Sequence, residues 1–268
     1  MTLPLLDSLA LAVTRVVTGV LPLSSSGHSA LVALLFGVEL APRVELSVAV
    51  GTWAGIAVFF RERWVPVLTS LRWGGTKTAA LPGLGRTLAM TTLAWVAVGL
   101  AVHGAAVAFA KDPGLVGGGL LVTALAAGAT LWAPEGDRDL PSTWGAVLVG
   151  AVQGVAVLPG LSRPALALAA LLLLGLRPAR AFELCFLAAL PSELALGVLG
   201  AFAWSPPMLA RSLAGVGTVL ALSALVAPLA FALLRLLEGI VTRRLLPVFA
   251  LYLVPLGVAT MAWAYASP

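Results

Sequence analysis

Long apolar runs dominate the chain, and short polar clusters interrupt them at wide intervals. The longest break, 61–86, carries Arg61, Glu62, Arg63, Arg72, Lys77 and Arg86. Shorter breaks fall at 111–114 (KDPG), 134–143 (PEGDRDLPST), 176–181 (LRPARA), 204–211 (WSPPMLAR) and 238–244 (EGIVTRR). Their Pro, Gly and Asp residues are turn chemistry. Between them lie apolar stretches at 44–60, 87–110, 114–133, 183–203, 212–236 and 245–266. Each is close to the ~20 residues that a helix needs to cross a bilayer. The runs do not alternate, so they predict helices rather than the strands of a β-barrel.

Two stretches, 5–37 and 144–175, do not fit this scheme. Each is too long for one crossing and too short for two. Each is interrupted near its middle by Pro, Gly and Ser, in LPLSSSGHS at 21–29 and LPGLSRP at 158–164. Non-helical backbone at membrane depth survives only where protein or a wet cavity satisfies it. Both stretches are therefore read as re-entrant helical hairpins whose broken tips line a cavity. With 61–86 placed inside, the inside breaks hold eleven Lys or Arg and the outside breaks three, namely Arg43, Lys111 and Arg211. That bias fixes the orientation.

The two hairpins also define a repeat. Pro22 lies 15 residues before Gly37, and Glu45 follows 8 residues later; Pro159 lies 16 residues before Gly175, and Glu183 follows 8 residues later. One copy enters from outside and the other from inside, an inverted-topology repeat that places its site near the midplane. The expected fold is an all-α polytopic membrane protein. It is a single domain over 1–268, with repeat 1 at about 5–110, repeat 2 at about 144–236 and about six full spans.

Composition narrows the function. Of 268 residues, 60% are hydrophobic and 10% charged, with a mean hydropathy of +1.06. A soluble domain carries about 25% charged residues, so a soluble enzyme, a disordered chain and a nucleic-acid-binding module are excluded. The net charge of +5 is assigned to basic cytoplasmic loops and not to a nucleic-acid partner. The lone Cys185 makes no intrachain disulfide. The first segment carries Asp7 and no Lys or Arg before Leu11, so it is not read as a cleavable signal.

The candidate chemistry sits at the tips. Ser24, Ser25 and Ser26 offer hydroxyls, Gly27 frees the backbone, and His28 adds an imidazole. A helix resuming there aims its N-terminal N–H groups at the tip, which suits an anion. The second tip offers Gly160, Ser162 and Arg163. An intramembrane Arg marks a functional site, and its guanidinium grips phosphate bidentately. Together these residues suit phosphate binding and proton handling. Glu45 and Glu183 open their spans as caps or as partners of the tips, and the sequence leaves that choice open. Glu193 is expected to face the cavity, Gln153 to line the second hairpin, His103 to be packed or interfacial, and the Trp residues to form interfacial belts.

At the tips the chain resembles the bacterial undecaprenyl-diphosphate phosphatases of the bacitracin-resistance type. The matching segments are LPLSSSGHSALV (21–32), GAVQGVAVLPGLSR (150–163) and FLAALP (186–191), with weaker matches in GTWAGIAVFFRERW (51–64) and LPVFALYLVPLGV (246–258). The resemblance implies hydrolysis of a polyprenyl diphosphate lipid to the monophosphate, at the outer face of the bacterial inner membrane. It carries Ser25, His28 and Arg163 over as catalytic residues, with Ser24, Ser26, Gly27, Gly160 and Ser162 at the substrate. It implies Mg²⁺ or Ca²⁺ as cofactor through two acidic or amide residues spaced four apart before the first tip. Those positions here are Arg15 and Gly19. Ala49 and the Pro-Ala after Arg163 also depart from the family pattern. The metal ligands are therefore left unassigned, and a non-hydrolytic lipid-carrier binder or transporter stands as the alternative. Membrane lipids are the other expected partners; a homodimer is left open.

Overall fold

The computed structural model describes residues 5–38, 42–65, 83–203 and 213–266, with the side chains of 5–8, 42–43, 192–203 and 213–215 outside the description. The expected role of Glu193, most of the 61–86 break and the 204–211 break thus lie outside the described residues. What is described is helical, with no strand beyond one isolated bridge between Arg138 and Leu176. The helices are α1 (Leu5–Val20), α2 (Ser25–Phe36), α3 (Pro42–Phe59), α4 (Leu84–Lys111), α5 (Pro113–Ala129), α6 (Thr143–Val155), α7 (Arg163–Leu173), α8 (Pro178–Ala203), α9 (Leu213–Thr242) and α10 (Ala250–Ala266).

Length sorts these helices into two kinds. Among the described residues, four stretches are long and apolar enough to cross a membrane: Leu84–Lys111, Pro113–Trp132, Val216–Thr242 and Leu246–Ala266. The chain is an integral membrane protein. In contrast, α1, α2, α6 and α7 have 16, 12, 13 and 11 residues. At 1.5 Å per residue each falls short of a ~30 Å hydrocarbon core. α3 has 18 residues and α8 has 26, with Pro191 inside α8.

Some expected breaks do not interrupt helices. α9 runs through Glu238 to Thr242, where Glu238 pairs with Arg235 one turn back at 3.3 Å and Thr242 bonds back to the Glu238 carbonyl at 2.7 Å. α8 starts at Pro178, so Glu183 lies in its second turn rather than at its start. Between α4 and α5 the break shrinks to Asp112, whose carboxylate caps the Gly114 and Leu115 N–H groups.

Small residues set the closest helix pairs. A Cβ on Gly51 of α3 would stand 2.5 Å from the Val226 side chain of α9, and one on Gly55 2.8 Å from the Ala227 carbonyl oxygen. Gly150 and Gly154 of α6 likewise lie against the backbone of α4 at Thr91 and Trp95. Such close approach is how helices associate where burial from water gives no driving force. A cluster of Phe59, Phe60, Phe182, Phe186 and Phe231 joins α3, α8 and α9.

Polar groups gather at one end of this bundle. Glu183, almost buried, pairs with Arg180 at 2.7 Å and Arg63 at 3.3 Å; Asp139 pairs with Arg177 at 3.0 Å and Arg180 at 3.4 Å. Arg244 donates to the Ala133 and Pro134 carbonyls. Segments near 63, 133–139, 177–183 and 244 are therefore linked at one end of the bundle. The repeat-equivalent Glu45 instead pairs with Arg15.

Candidate functional site

Each tip forms because the local sequence cannot continue a helix. α1 ends at Val20, just before Pro22, which has no N–H to give. Ser24 then takes a left-handed φ of 69°, and its hydroxyl accepts from the Gly27 N–H at 3.2 Å, capping α2. α6 ends at Val155, and Gly160 turns the chain with φ 88°. Ser162 caps α7 through the Ala165 N–H, and Pro164 falls where a missing N–H costs nothing.

The two tips meet. The Ser24 hydroxyl donates to the Leu161 carbonyl at 3.1 Å across 137 positions. Gly27 and Gly160 face each other so closely that a Cβ on Gly27 would lie 2.8 Å from Gly160 Cα. Thr123 of α5 fixes the second tip from behind: its hydroxyl donates to the Gly160 carbonyl at 2.7 Å and accepts from the Ser162 N–H at 3.0 Å. Sequence reading missed Thr123, although a hydroxyl in the run LLVTALAA was a signal. Gly27→Ala should push the tips apart at a cost of about 1–3 kcal/mol. Thermal unfolding in detergent should show it as a drop of several degrees; an unchanged midpoint would mean the tips yield without cost.

A cavity of about 470 Å³ opens at this junction. Ser24, Ser25 and Ser26 from the start of α2 line it, with Ser162, Arg163 and Pro164 from the start of α7. Two helix N-termini therefore converge on one space, each bringing the positive end of its dipole. α1 contributes Arg15, Thr18 and Gly19, and α3 contributes Glu45 and Thr52. Arg15 reaches Glu45 at 3.1 Å and Ser29 at 3.0 Å. Among the lining residues the charges are Arg15 and Arg163 against Glu45. Ser24 is spent on holding the tips, whereas Ser25 and Ser26 stand at the cavity wall.

His28 is oriented differently. Its Nδ1 lies 2.9 Å from the Ser24 carbonyl oxygen, which can only accept, so this nitrogen carries the proton. Its Nε2 lies 2.8 Å from the Tyr252 hydroxyl on α10, and the two rings stack at 5.8 Å. His28 is absent from the cavity lining, while Ser25 and Arg163 are brought together there. Tyr252 was not singled out from the sequence. Gln153 is buried against the site, and His103 is exposed on α4. Among the described residues no group of three His, Cys, Asp or Glu side chains gathers as a metal site would require.

Known proteins are similar to this chain over most of its length. The pattern describing bacitracin resistance protein BacA matches residues 8–259. An undecaprenyl-diphosphatase of Rhizorhabdus wittichii is 27% identical over 275 residues, covering 99% of this chain and all of the relative. One from Haloarcula marismortui is 30% identical over 73% of this chain and 76% of its own length. One from Desulfosudis oleivorans is 32% identical over 73% and 77%. With a match that takes in both tips and all the helices around the cavity, the chain belongs to the bacitracin-resistance BacA family.

Proposed function

We propose that the chain hydrolyses a polyprenyl diphosphate, undecaprenyl diphosphate in a bacterium, to the monophosphate and inorganic phosphate, recycling the lipid carrier of cell-wall synthesis. The observation that carries this reading is the convergence of two helix N-termini and Arg163 on one cavity in a membrane-embedded member of this family. Such a site suits a compact oxyanion, and in this family the phosphate group is the one expected.

The proposed chemistry follows the lining. Arg163 takes two oxygens of the diphosphate in its planar fork and stabilises the charge that develops on the transferring phosphoryl group. Ser25 and Ser26 add hydroxyl donors. Arg15 moves from Glu45 onto the diphosphate, which leaves Glu45 to accept a proton from the attacking water. The water oxygen bonds to the terminal phosphorus, the bond to the bridging oxygen breaks, and the lipid monophosphate leaves as an anion. With both ring nitrogens engaged by Ser24 and Tyr252, His28 acts in this reading by holding the first tip. A divalent cation needs several oxygen ligands. Among the described residues the cavity offers one carboxylate, Glu45, which this mechanism engages as the base, so no carboxylate is left over to hold Mg²⁺ or Ca²⁺. We assign the reaction no metal.

The membrane arrangement proposed with it has α1–α2 and α6–α7 as re-entrant hairpins of an inverted repeat. α3, α4, α5, α8, α9 and α10 are the six spans, and the cavity opens to the outer side of the plasma membrane. The apolar helix faces leave the isoprenoid tail in the bilayer. The direct test is phosphate release from undecaprenyl diphosphate by the purified protein, with Mg²⁺ and with chelator. Release that is indifferent to chelator is expected. Tight binding without release would sink hydrolysis and favour a non-hydrolytic carrier of the same lipid.

A further inference from the structure

Two buried side-chain nitrogens among the described residues have no hydrogen-bond partner: Gln153 Nε2 on α6 and Trp95 Nε1 on α4. These two helices pack against each other, and both residues lie at the candidate site. Trp95 lines the main cavity. Gln153, 2% exposed, lines a second cleft of about 30 Å³. Gly19, Thr52, Arg163 and Pro164 line both spaces, so the cleft lies directly behind the wall that carries Arg163.

Buried N–H groups without a protein acceptor are uncommon in folded proteins, because such a group has left bulk water without a protein partner in exchange. Both orphans here are donors, and an indole N–H can be nothing else. They stand among further donors: the two tip N-termini, Arg163 and Arg15. No protein acceptor reaches either of these two nitrogens, and the cleft behind Arg163 is wide enough for one oxygen atom. A phosphate group brings many lone pairs on a compact centre and meets this deficit in a way that a neutral ligand does not.

We propose that Gln153 and Trp95 are phosphate ligands. The Gln153 amide takes the non-bridging oxygen that enters the cleft beside Arg163, and the Trp95 indole takes another oxygen in the main cavity. The assignment rests on the diphosphate reading above. It gives α4, which carries no motif of its own, a direct part in substrate recognition.

The test uses the purified full chain with farnesyl diphosphate and with inorganic pyrophosphate as probes. Gln153→Leu and Trp95→Phe should each weaken binding of both probes about tenfold or more, the value of a hydrogen bond to a charged group. Without ligand, Gln153→Leu should keep or raise the thermal midpoint, because it removes a buried amide nitrogen that has no acceptor. A purely structural residue would lower stability and binding together, and that joint loss would overturn the proposal. So would affinities within twofold of wild type, or a loss confined to the farnesyl compound. Gln153→Met serves as a second variant should the leucine fail to fold. If the wild type binds neither probe, the diphosphate reading itself falls; if it binds both and the variants match it, only this inference does.

Discussion

Replacing Arg163 by alanine should abolish measurable phosphate release, with a loss of about a thousandfold or more, the scale seen when an arginine that stabilises a transferring phosphoryl group is removed. The residue occupies the first turn of α7, beside the cap Ser162 and against the tip Pro159–Gly160 that Thr123 anchors. Its guanidinium therefore acts from a backbone with little freedom, which is what preorganised electrostatic stabilisation requires. Lysine at this position retains the charge but offers a single point of contact in place of a planar fork. Arg163→Lys should recover a small fraction of turnover while holding substrate more nearly as well as wild type does. Near wild-type turnover in Arg163→Lys would mean that charge alone is used and that the fork geometry is irrelevant. The proper readout is kcat and KM separately, since a loss in KM alone would report ground-state binding.

The tips were legible in the sequence because they are made by residues that cannot do otherwise. Pro22, Gly160 and the capping serines stop one helix and start another whatever surrounds them, and the parallel spacing of Pro22–Gly37–Glu45 and Pro159–Gly175–Glu183 paired the two blocks. The contact between Ser24 and Leu161 follows from that pairing. The direction of His28 was not legible. It is set by Tyr252, 224 positions away, and by a carbonyl on its own tip. The break at 238–244 starts later than its charges suggest: α9 continues to Thr242, with Arg235 and Glu238 paired along it, and the chain turns at Arg243 and Arg244. Thr123 looked like a minor polar residue in an apolar run, and Gln153 was expected only to line the second hairpin. Their meaning appears only when burial shows that one is fully bonded and the other has an unpartnered amide nitrogen. Motifs report what the backbone must do locally, while long-range side-chain partners depend on packing that no local pattern encodes.

Restoring carboxylates to α1 should raise turnover and create a metal requirement. A Cβ built on Gly19 lies 3.5 Å from Ser25 Oγ, an ordinary contact, so a side chain there has room and points at the cavity wall. Arg15, one turn earlier on the same face, holds Glu45 at 3.1 Å. In the proposed mechanism this arginine adds positive charge to the phosphate site and favours substrate and product alike. Uniform tightening of that kind does not raise the chemical rate. The double change Arg15→Glu with Gly19→Glu releases Glu45 from its ion pair and sets three carboxylates around one cavity, a donor set that suits a hard divalent cation. Turnover of the double variant with Mg²⁺ or Ca²⁺ should exceed that of wild type by about tenfold, equivalent to ~1.4 kcal/mol of barrier, and should collapse with chelator. Without metal the double variant should be worse than wild type, because carboxylates crowd an anionic substrate. Wild type should respond to neither metal nor chelator. If wild type is already fast and strongly metal-dependent, the cavity must acquire ligands beyond Glu45, and the assignment of a metal-free reaction is wrong. If the double variant binds metal yet gains no rate, Arg15 is serving the transition state rather than the ground state, and the single change Arg15→Gln should then cost turnover with little effect on KM.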